Sequence, residues 1–206
     1  MIAITDRKLC HGPLVERVRM LAEAGTERII LREKDLSEEE LLPLAKACMD
    51  VCQDCATELV VNSAVGVARR IGCGSVHMPM PLLRTTDVSG FTLVGASVHS
   101  PDEALEAQEL GADYLIAGHV FPTACKIGEP RGTTFLRDVV SVSDVPVYAV
   151  GGVNPDNVYK VRDAGCRGAC TMSLAMRSEN LPELVRSMTF RFPPPYARSD
   201  RRWGHL

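Results

Sequence analysis

No apolar run in the 206-residue chain approaches the roughly 20 residues that span a bilayer. No basic-then-apolar leader opens it either. Positive charge is not in excess: 23 Lys and Arg stand against 26 Asp and Glu, a formal net charge of -3. That leaves no basic footprint for nucleic acid. These absences predict a cytoplasmic chain with neither a membrane nor a nucleic-acid partner. A G-x-G-x-x-G run is also missing after the first candidate strand, which counts against a dinucleotide-binding open sheet. Cysteine is plentiful by comparison, at eight residues, and the sharpest group is "CMDVCQDC" with Cys48, Cys52 and Cys55 at helical spacing. A zinc site would need a second half-site at matching spacing, and the sequence supplies none. These thiols are therefore expected to pack as small apolar side chains on a helix, with no bound metal.

Against those absences, 46% of the residues are hydrophobic and 24% charged, enough for one domain with a substantial core. Short β-branched runs recur along the chain: "IAIT" (2–5), "RIILR" (28–32), "ELVVN" (58–62) and "SVHM" (75–78). "TLVGASV" (92–98), "DYLIAGHV" (113–120), "VPVYAV" (145–150) and "GACTMS" (168–173) complete the set. Several are continuously apolar, as strands buried on both faces of a parallel sheet are. Amphipathic segments separate them. One opens with Ser37 followed by Glu40, a capping-box pattern, and another reads Ser100-Pro101 at its start with Gly111 as its stop. Strands alternating with helices on this scale predict a single-domain (β/α)8 TIM barrel over residues 1–190, with a doubly wound open sheet as the runner-up. The proline- and arginine-rich tail 191–206 is expected to be an extension beyond the barrel.

Barrel chemistry gathers where strands end and βα loops begin. Those positions hold Arg32, Glu33, Lys34, Asn62, Ser63, His77, Ser97, His99, His119, Lys126, Gly151, Gly152, Met172 and Ser173. Gly151 and Gly152 leave backbone N–H groups uncovered, and a short helix opening at Ser173 would point further amides inward. Loops seven and eight of a barrel commonly bind phosphate in this way, although the same glycines would serve a tight turn alone. In "GHVFPTACKIGEPRG" (118–132), His119 ends the sixth strand just before a Gly/Pro-rich loop. Its unperturbed pKa suits proton transfer near neutrality; the alternative is a histidine that hydrogen-bonds its own loop. Lys126 and Arg131 are either anion ligands or solvated loop charges. His77 is expected to be structural.

"ITD" (4–6), "LREKD" (31–35), "GASVHSPDEALEAQELGADYLIAGHVFPTACK" (95–126), "VPVYAVGGVNPDN" (145–157) and "GCRGACTMSLAM" (165–176) resemble the thiamine phosphate synthase superfamily, in order and over nearly the whole chain to about residue 188. The resemblance implies a TIM barrel that handles a thiazole phosphate as its small-molecule partner, with a homodimer as the expected assembly. Two branches exist. The synthase joins a pyrimidine diphosphate to the thiazole phosphate with magnesium and releases pyrophosphate. Its signature after strand three is Asn-Asp, where this chain reads Asn62-Ser63. After strand four it carries His-Leu-Gly-Gln and a second metal-binding aspartate, where this chain reads "HMPMPLL", and Ile30 replaces a strand-two glutamine. The TenI-like thiazole tautomerase branch instead aromatises a carboxythiazole phosphate by proton transfer, with no metal or cofactor.

His119 matches that branch's catalytic histidine, and the missing aspartates remove the synthase's metal apparatus. The expectation is therefore a metal-independent isomerase with His119 as acid–base residue. Gly151, Gly152, Met172 and Ser173 would hold the phosphate. Lys126 and Ser97, then Arg32 and Arg131, would meet the carboxylate, with Asn62 lining the site. The alternatives are a working synthase, and a non-catalytic regulator that binds thiazole phosphate.

Overall fold

In the computed structural model, which describes residues 1–123 and 128–190, the strands close on themselves in sequence order. β1 (Ile2–Ile4), β2 (Arg28–Leu31), β3 (Glu58–Asn62) and β4 (Ser75–Pro79) are followed by β5 (Leu93–Val98), β6 (Tyr114–Gly118), β7 (Val147–Val150) and β8 (Gly168–Thr171). Every neighbouring pair is parallel. β8 returns to β1 through Cys170 beside Ile2 and Thr171 beside Ala3, so the sheet has no edge. The predicted (β/α)8 barrel is the observed fold, and each strand lies within its expected run except β4, which continues one residue further to Pro79. The tail 191–206 lies outside the described residues.

Local chemistry sets the helices. α1 (Leu14–Glu23) stops before Gly25, whose φ of 82° is the left-handed conformation glycine adopts without a Cβ clash. α2 (Glu38–Asp54) begins on the predicted capping box: Glu40 N–H donates to Ser37 Oγ at 3.3 Å, and Ser37 N–H donates to Glu40 Oε2 at 2.9 Å. α3 (Val65–Ile71) and α4 (Met80–Leu83) follow β3 and β4. α5 (Pro101–Glu109) carries its cap on Ser100 Oγ, 3.0 Å from Glu103 N–H. The remaining helices are α6 (Gly132–Ser141), α7 (Val158–Asp163), α8 (Ser173–Arg177) and α9 (Leu181–Met188). Among the described residues, no helix is long and apolar enough to cross a membrane.

The core has two parts. A shell between strands and helices takes the larger cluster, including Cys48 and Cys52 on the inner face of α2. Burial pushes both of those thiols up to about 12, so they remain protonated and pack as apolar groups. The barrel interior is the second cluster, with Ile2, Ile30, Val60, Tyr114, Ile116 and Tyr148 at its centre. Its N-terminal end is closed by polar side chains rather than aliphatic ones. Arg28 donates to Glu58 at 2.7 Å, to Glu27 at 2.8 Å and to the Tyr148 hydroxyl at 3.1 Å. Ser75 Oγ donates to the other Glu58 oxygen at 2.6 Å. The Tyr114 and Tyr148 rings meet edge to face at 6.0 Å, an arrangement worth about 0.5–1.5 kcal/mol beyond area burial. Gly95 makes room for this stack, since a Cβ there would overlap the Tyr114 ring. Because this plug fills the N-terminal end, a ligand entering the barrel can do so only at the C-terminal mouth.

Candidate functional site

Alternate strand residues point into a barrel. Arg32 and Asn62 lie two residues beyond the interior-facing Ile30 and Val60, and Met172 two beyond Cys170. Ser97 is four beyond Leu93. The same parity therefore places all four around the inside of the C-terminal mouth. Register agrees, with Asn62 beside His77 and Ser97 beside Pro79 on adjacent strands. The structure thus brings together the residues that the sequence marked as candidates on β2, β3, β5 and β8.

Gly151 and Gly152 follow β7 with φ values of 96° and 66°. The β6 loop crosses directly over them: Val120 N–H donates to the Val150 carbonyl at 3.0 Å and Phe121 N–H to the Gly151 carbonyl at 2.9 Å. A Cβ on Gly151 would overlap the His119 side chain. One on Gly152 would overlap the Pro122 carbonyl and come within 2.8 Å of Phe121. Both glycines are thus required by backbone conformation and by the close approach of two loops. The Asn157 amide holds the turn by donating to the Gly152 carbonyl at 2.9 Å. α8 begins immediately after β8, and its N-cap, Met172, makes no side-chain capping bond. First-turn amides of a helix have no intrahelical acceptor, and a helix N-terminus favours negative charge. Arg17, from α1, fixes this helix from behind, donating to the Ala175 carbonyl at 2.7 Å and the Ser178 carbonyl at 2.8 Å. Arg17 is not among the residues that strand position marks as candidates. Its only signal was a cation on an otherwise amphipathic helix far from any loop.

His119 is buried at the end of β6, and its Nε2 lies 3.2 Å from the Gly128 carbonyl. That is the loop-bonded arrangement weighed against acid–base chemistry in the sequence analysis. Lys126 lies outside the described residues. Arg131 is exposed, its guanidinium 5.2 Å from the Phe135 ring centroid, an ordinary cation–π contact. His99 donates its backbone N–H to Glu103 Oε2 at 2.6 Å, and its ring Nδ1 lies 3.4 Å from the same oxygen. His77 sits deeper in the barrel. Its Nε2 is 2.7 Å from Ser97 Oγ and its Nδ1 is 3.2 Å from the Tyr114 hydroxyl. Complete burial lowers its pKa to about 3, so it is a neutral bridge that orients Ser97.

The acidic residues at the mouth belong to a cluster between β1 and β2. Glu33 is buried and accepts from Thr5 Oγ1 at 2.6 Å, from Arg7 N–H at 3.1 and 3.2 Å, and from the Arg7 guanidinium at 3.1 Å. Asp35 pairs with Arg7 at 2.6 Å and Lys8 at 2.9 Å. These bonds hold its carboxyl well below the usual carboxylate range. Thr5 and Arg7 also escaped the sequence analysis, which looked for ligands rather than for the ion pairs that shape a loop. Magnesium needs several hard oxygen ligands, and the mouth does not offer them. Where the synthase pattern has an aspartate, Ser63 (φ 62°) accepts from Asn62 Nδ2 at 3.0 Å. Glu33 and Asp35 are already committed to cations. Among the described residues, no group of three or more His, Cys, Asp or Glu is arranged to hold a metal ion. A groove of about 270 Å³ lined by Arg69, Gly74 and Phe91 opens at the opposite end of the barrel, away from these loops.

Residues 1–175 match the family described as thiamine monophosphate synthase, TMP-TENI. The chain is 34% identical over 195 residues to a thiamine-phosphate synthase of Pyrococcus abyssi, covering 91% of this chain and 92% of that one. It is 35% identical over 192 residues to the thiamine-phosphate synthase of Pyrococcus furiosus, with the same coverage. The solved structure of thiamine phosphate pyrophosphorylase from Pyrococcus furiosus superposes with a TM-score of 0.80 at 33% identity, covering 91% and 92% of the two chains. These relatives overturn the expected tautomerase. The features that favoured an isomerase were one histidine, two missing aspartates and Ile30 in place of a strand-two glutamine. The histidine is bonded to its own loop, while the similarity to proteins named as synthases runs through the whole barrel. The chain belongs to the thiamine-phosphate synthase family.

Proposed function

We propose that this chain is a transferase that joins a pyrimidine diphosphate to a thiazole phosphate at the C-terminal mouth of its barrel, releasing pyrophosphate. The observation that carries the reading is the cradle formed by the β7 and β8 loops in a chain whose relatives are named thiamine-phosphate synthases. Gly151 and Gly152 carry no side chain of their own at the end of β7, where the β6 loop crosses them, and α8 opens beside them without a side-chain cap. Together they suit the phosphate of the thiazole partner. Met172 bounds the same pocket from β8.

In this reading the reaction makes one bond between the two rings and breaks the bond to the diphosphate. Negative charge therefore develops on the departing pyrophosphate and has to be met by cations or N–H donors. Arg32, Asn62 and Ser97 face the mouth and hold the second substrate against the first, so that two bound molecules react at high effective concentration. No proton transfer by His119 is required. His119 keeps the β6 loop over Gly151 through its contact with the Gly128 carbonyl.

Incubating the full chain with both substrates, with magnesium and separately in EDTA, tests the proposal by thiamine phosphate formation. The carboxylate-poor mouth favours one other reading, a family member that binds thiazole phosphate without catalysis. Tight binding of thiazole phosphate with no coupled product under either condition would select it. His119→Gln separates the proposed role from acid–base chemistry. Coupling should fall by less than about tenfold, whereas loss of an acid–base residue costs about 10²–10⁴-fold.

A further inference from the structure

We propose that the mouth reads the ring of its pyrimidine substrate from one edge only. The hydrogen-bonding edge meets Asn62 and Ser97, and the opposite edge packs on an aliphatic arc that selects an apolar substituent. The inference rests on the transferase reading above and concerns which ring that site prefers. Side chains inside a barrel stack in layers of four drawn from alternate strands. Strand register puts Ile4 of β1, Asn62 of β3, Ser97 of β5 and Val150 of β7 in one such layer. All four are half-buried, whereas Ile30, His77, Ile116 and Cys170 in the layer beneath are buried. The upper layer is therefore the floor on which a ring entering the mouth comes to rest.

That floor is divided. Asn62 and Ser97 stand on either side of β4, and His77 from that strand holds Ser97 Oγ from below at 2.7 Å. Asn62 is steadied by the bond from its Nδ2 to Ser63 Oγ at 3.0 Å. These hydrogen-bonding groups occupy the β3–β5 sector. The other sector runs from β6 through β8 to β2. It is built from Ile116, Val150, Cys170, Ile4 and Ile30, all part of the barrel's interior cluster or packed against it. Burial pushes the Cys170 thiol well up, so that side chain is neutral as well. None of these five side chains offers a strong donor or acceptor. A polar substituent placed against them would lose its hydrogen bonds to water and gain none. A methyl group in the same place removes apolar surface from water on both sides of the contact. A ring with one polar edge satisfies both sectors only when that edge points toward β3–β5.

Titration calorimetry on the full chain tests this with three pyrimidine diphosphates. They share one amine-bearing edge and differ at the opposite edge, which carries a methyl group, a hydrogen or a second amine. Thiazole phosphate is left out, so no coupling occurs. The methyl compound is expected to bind about tenfold or more tightly than the diamine, with the hydrogen compound between them. Val150→Thr keeps the side-chain shape but puts a hydroxyl in the aliphatic sector, and should narrow that ratio to about threefold or less. Ser97→Ala should weaken all three compounds by a similar factor and leave the ratio unchanged, because it acts on the other edge. Thermal melting shows whether each variant is folded, and Ile4→Thr repeats the test from β1 if Val150→Thr melts early. Equal affinity of the wild type for the methyl compound and the diamine would overturn the inference. So would a ratio that the threonine variants leave unchanged, or one that Ser97→Ala abolishes. Binding of none of the three would sink the transferase reading itself, whereas binding without the methyl preference sinks only this inference.

Discussion

Acidification should destabilise this barrel through His77, and the size of the effect follows from its surroundings. The ring is buried between Ser97 and Tyr114, and burial lowers its pKa to about 3 from an ordinary 6.5. Above pH 6.5 the ring is neutral in both folded and unfolded chains, and its contribution is fully present. Between pH 6.5 and 3 the unfolded chain takes up a proton that the folded chain excludes, so stability falls as pH falls. Each pH unit in that window costs about 1.36 kcal/mol. Lowering the pH from 6.5 to 4.5 therefore removes about 2.7 kcal/mol, a large share of a typical domain stability of about 5–15 kcal/mol. Carboxylates held below their usual range, Asp35 and Glu106 among them, lose stability in the same direction, so the raw curve is not diagnostic. The comparison with His77→Gln is. Glutamine keeps a polar group near Ser97 and cannot titrate. Urea unfolding at several pH values should find wild type more stable at pH 7, with the gap shrinking by about 2.7 kcal/mol by pH 4.5. A gap that stays constant across the window would refute the assignment of a buried, neutral imidazole.

Gly152→Ala places a Cβ against Phe121 and Pro122 at a φ of 66°; left-handed strain alone costs about 1–2 kcal/mol. Thiazole phosphate affinity, read by calorimetry, should fall about tenfold or more as the β6 and β7 loops separate, and melting should drop by several degrees. Arg17→Ala removes two charged-donor bonds from the back of α8. With one end of the side chain solvated, the cost should be about 1–3 kcal/mol in denaturant unfolding. The same variant should weaken thiazole phosphate binding without changing the pH profile of coupling, since Arg17 reaches no ligand. Thr5→Val leaves the Glu33 carboxylate and the Arg32 N–H each short of a partner, an expected loss of about 1–3 kcal/mol by urea unfolding.

The barrel was legible because its determinants are local and repeated. The "IIL" (29–31) and "LVV" (59–61) runs are apolar on both faces, as closure into a parallel barrel requires, and Ser37-Glu40 and Ser100-Pro101 announce their helices through caps that the structure reproduces. Parity carries the candidate site almost as far. Once Ile30 and Val60 are interior, Arg32 and Asn62 must reach the mouth, and a sequence reader can place them there by counting. The pairings between loops were not legible. Glu33 closing on Arg7, Arg17 reaching α8 and His77 bridging Ser97 to Tyr114 join residues on different elements. No spacing rule reports such contacts.

The same blind spot explains the misassigned chemistry. His119 at a strand end is chemically equivalent, on paper, to a free imidazole over a pocket. Whether it can exchange protons depends on what its nitrogens already touch, and in the fold Nε2 faces a carbonyl of its own loop. The missing aspartates carry a different kind of information. They say how a diphosphate is neutralised, not whether one is bound, because charge on a leaving group can be met by a guanidinium as well as by a metal. Arg32 sits on the strand beside the lost carboxylate position, with its backbone pinned by Thr5 and its charge uncommitted to any described carboxylate.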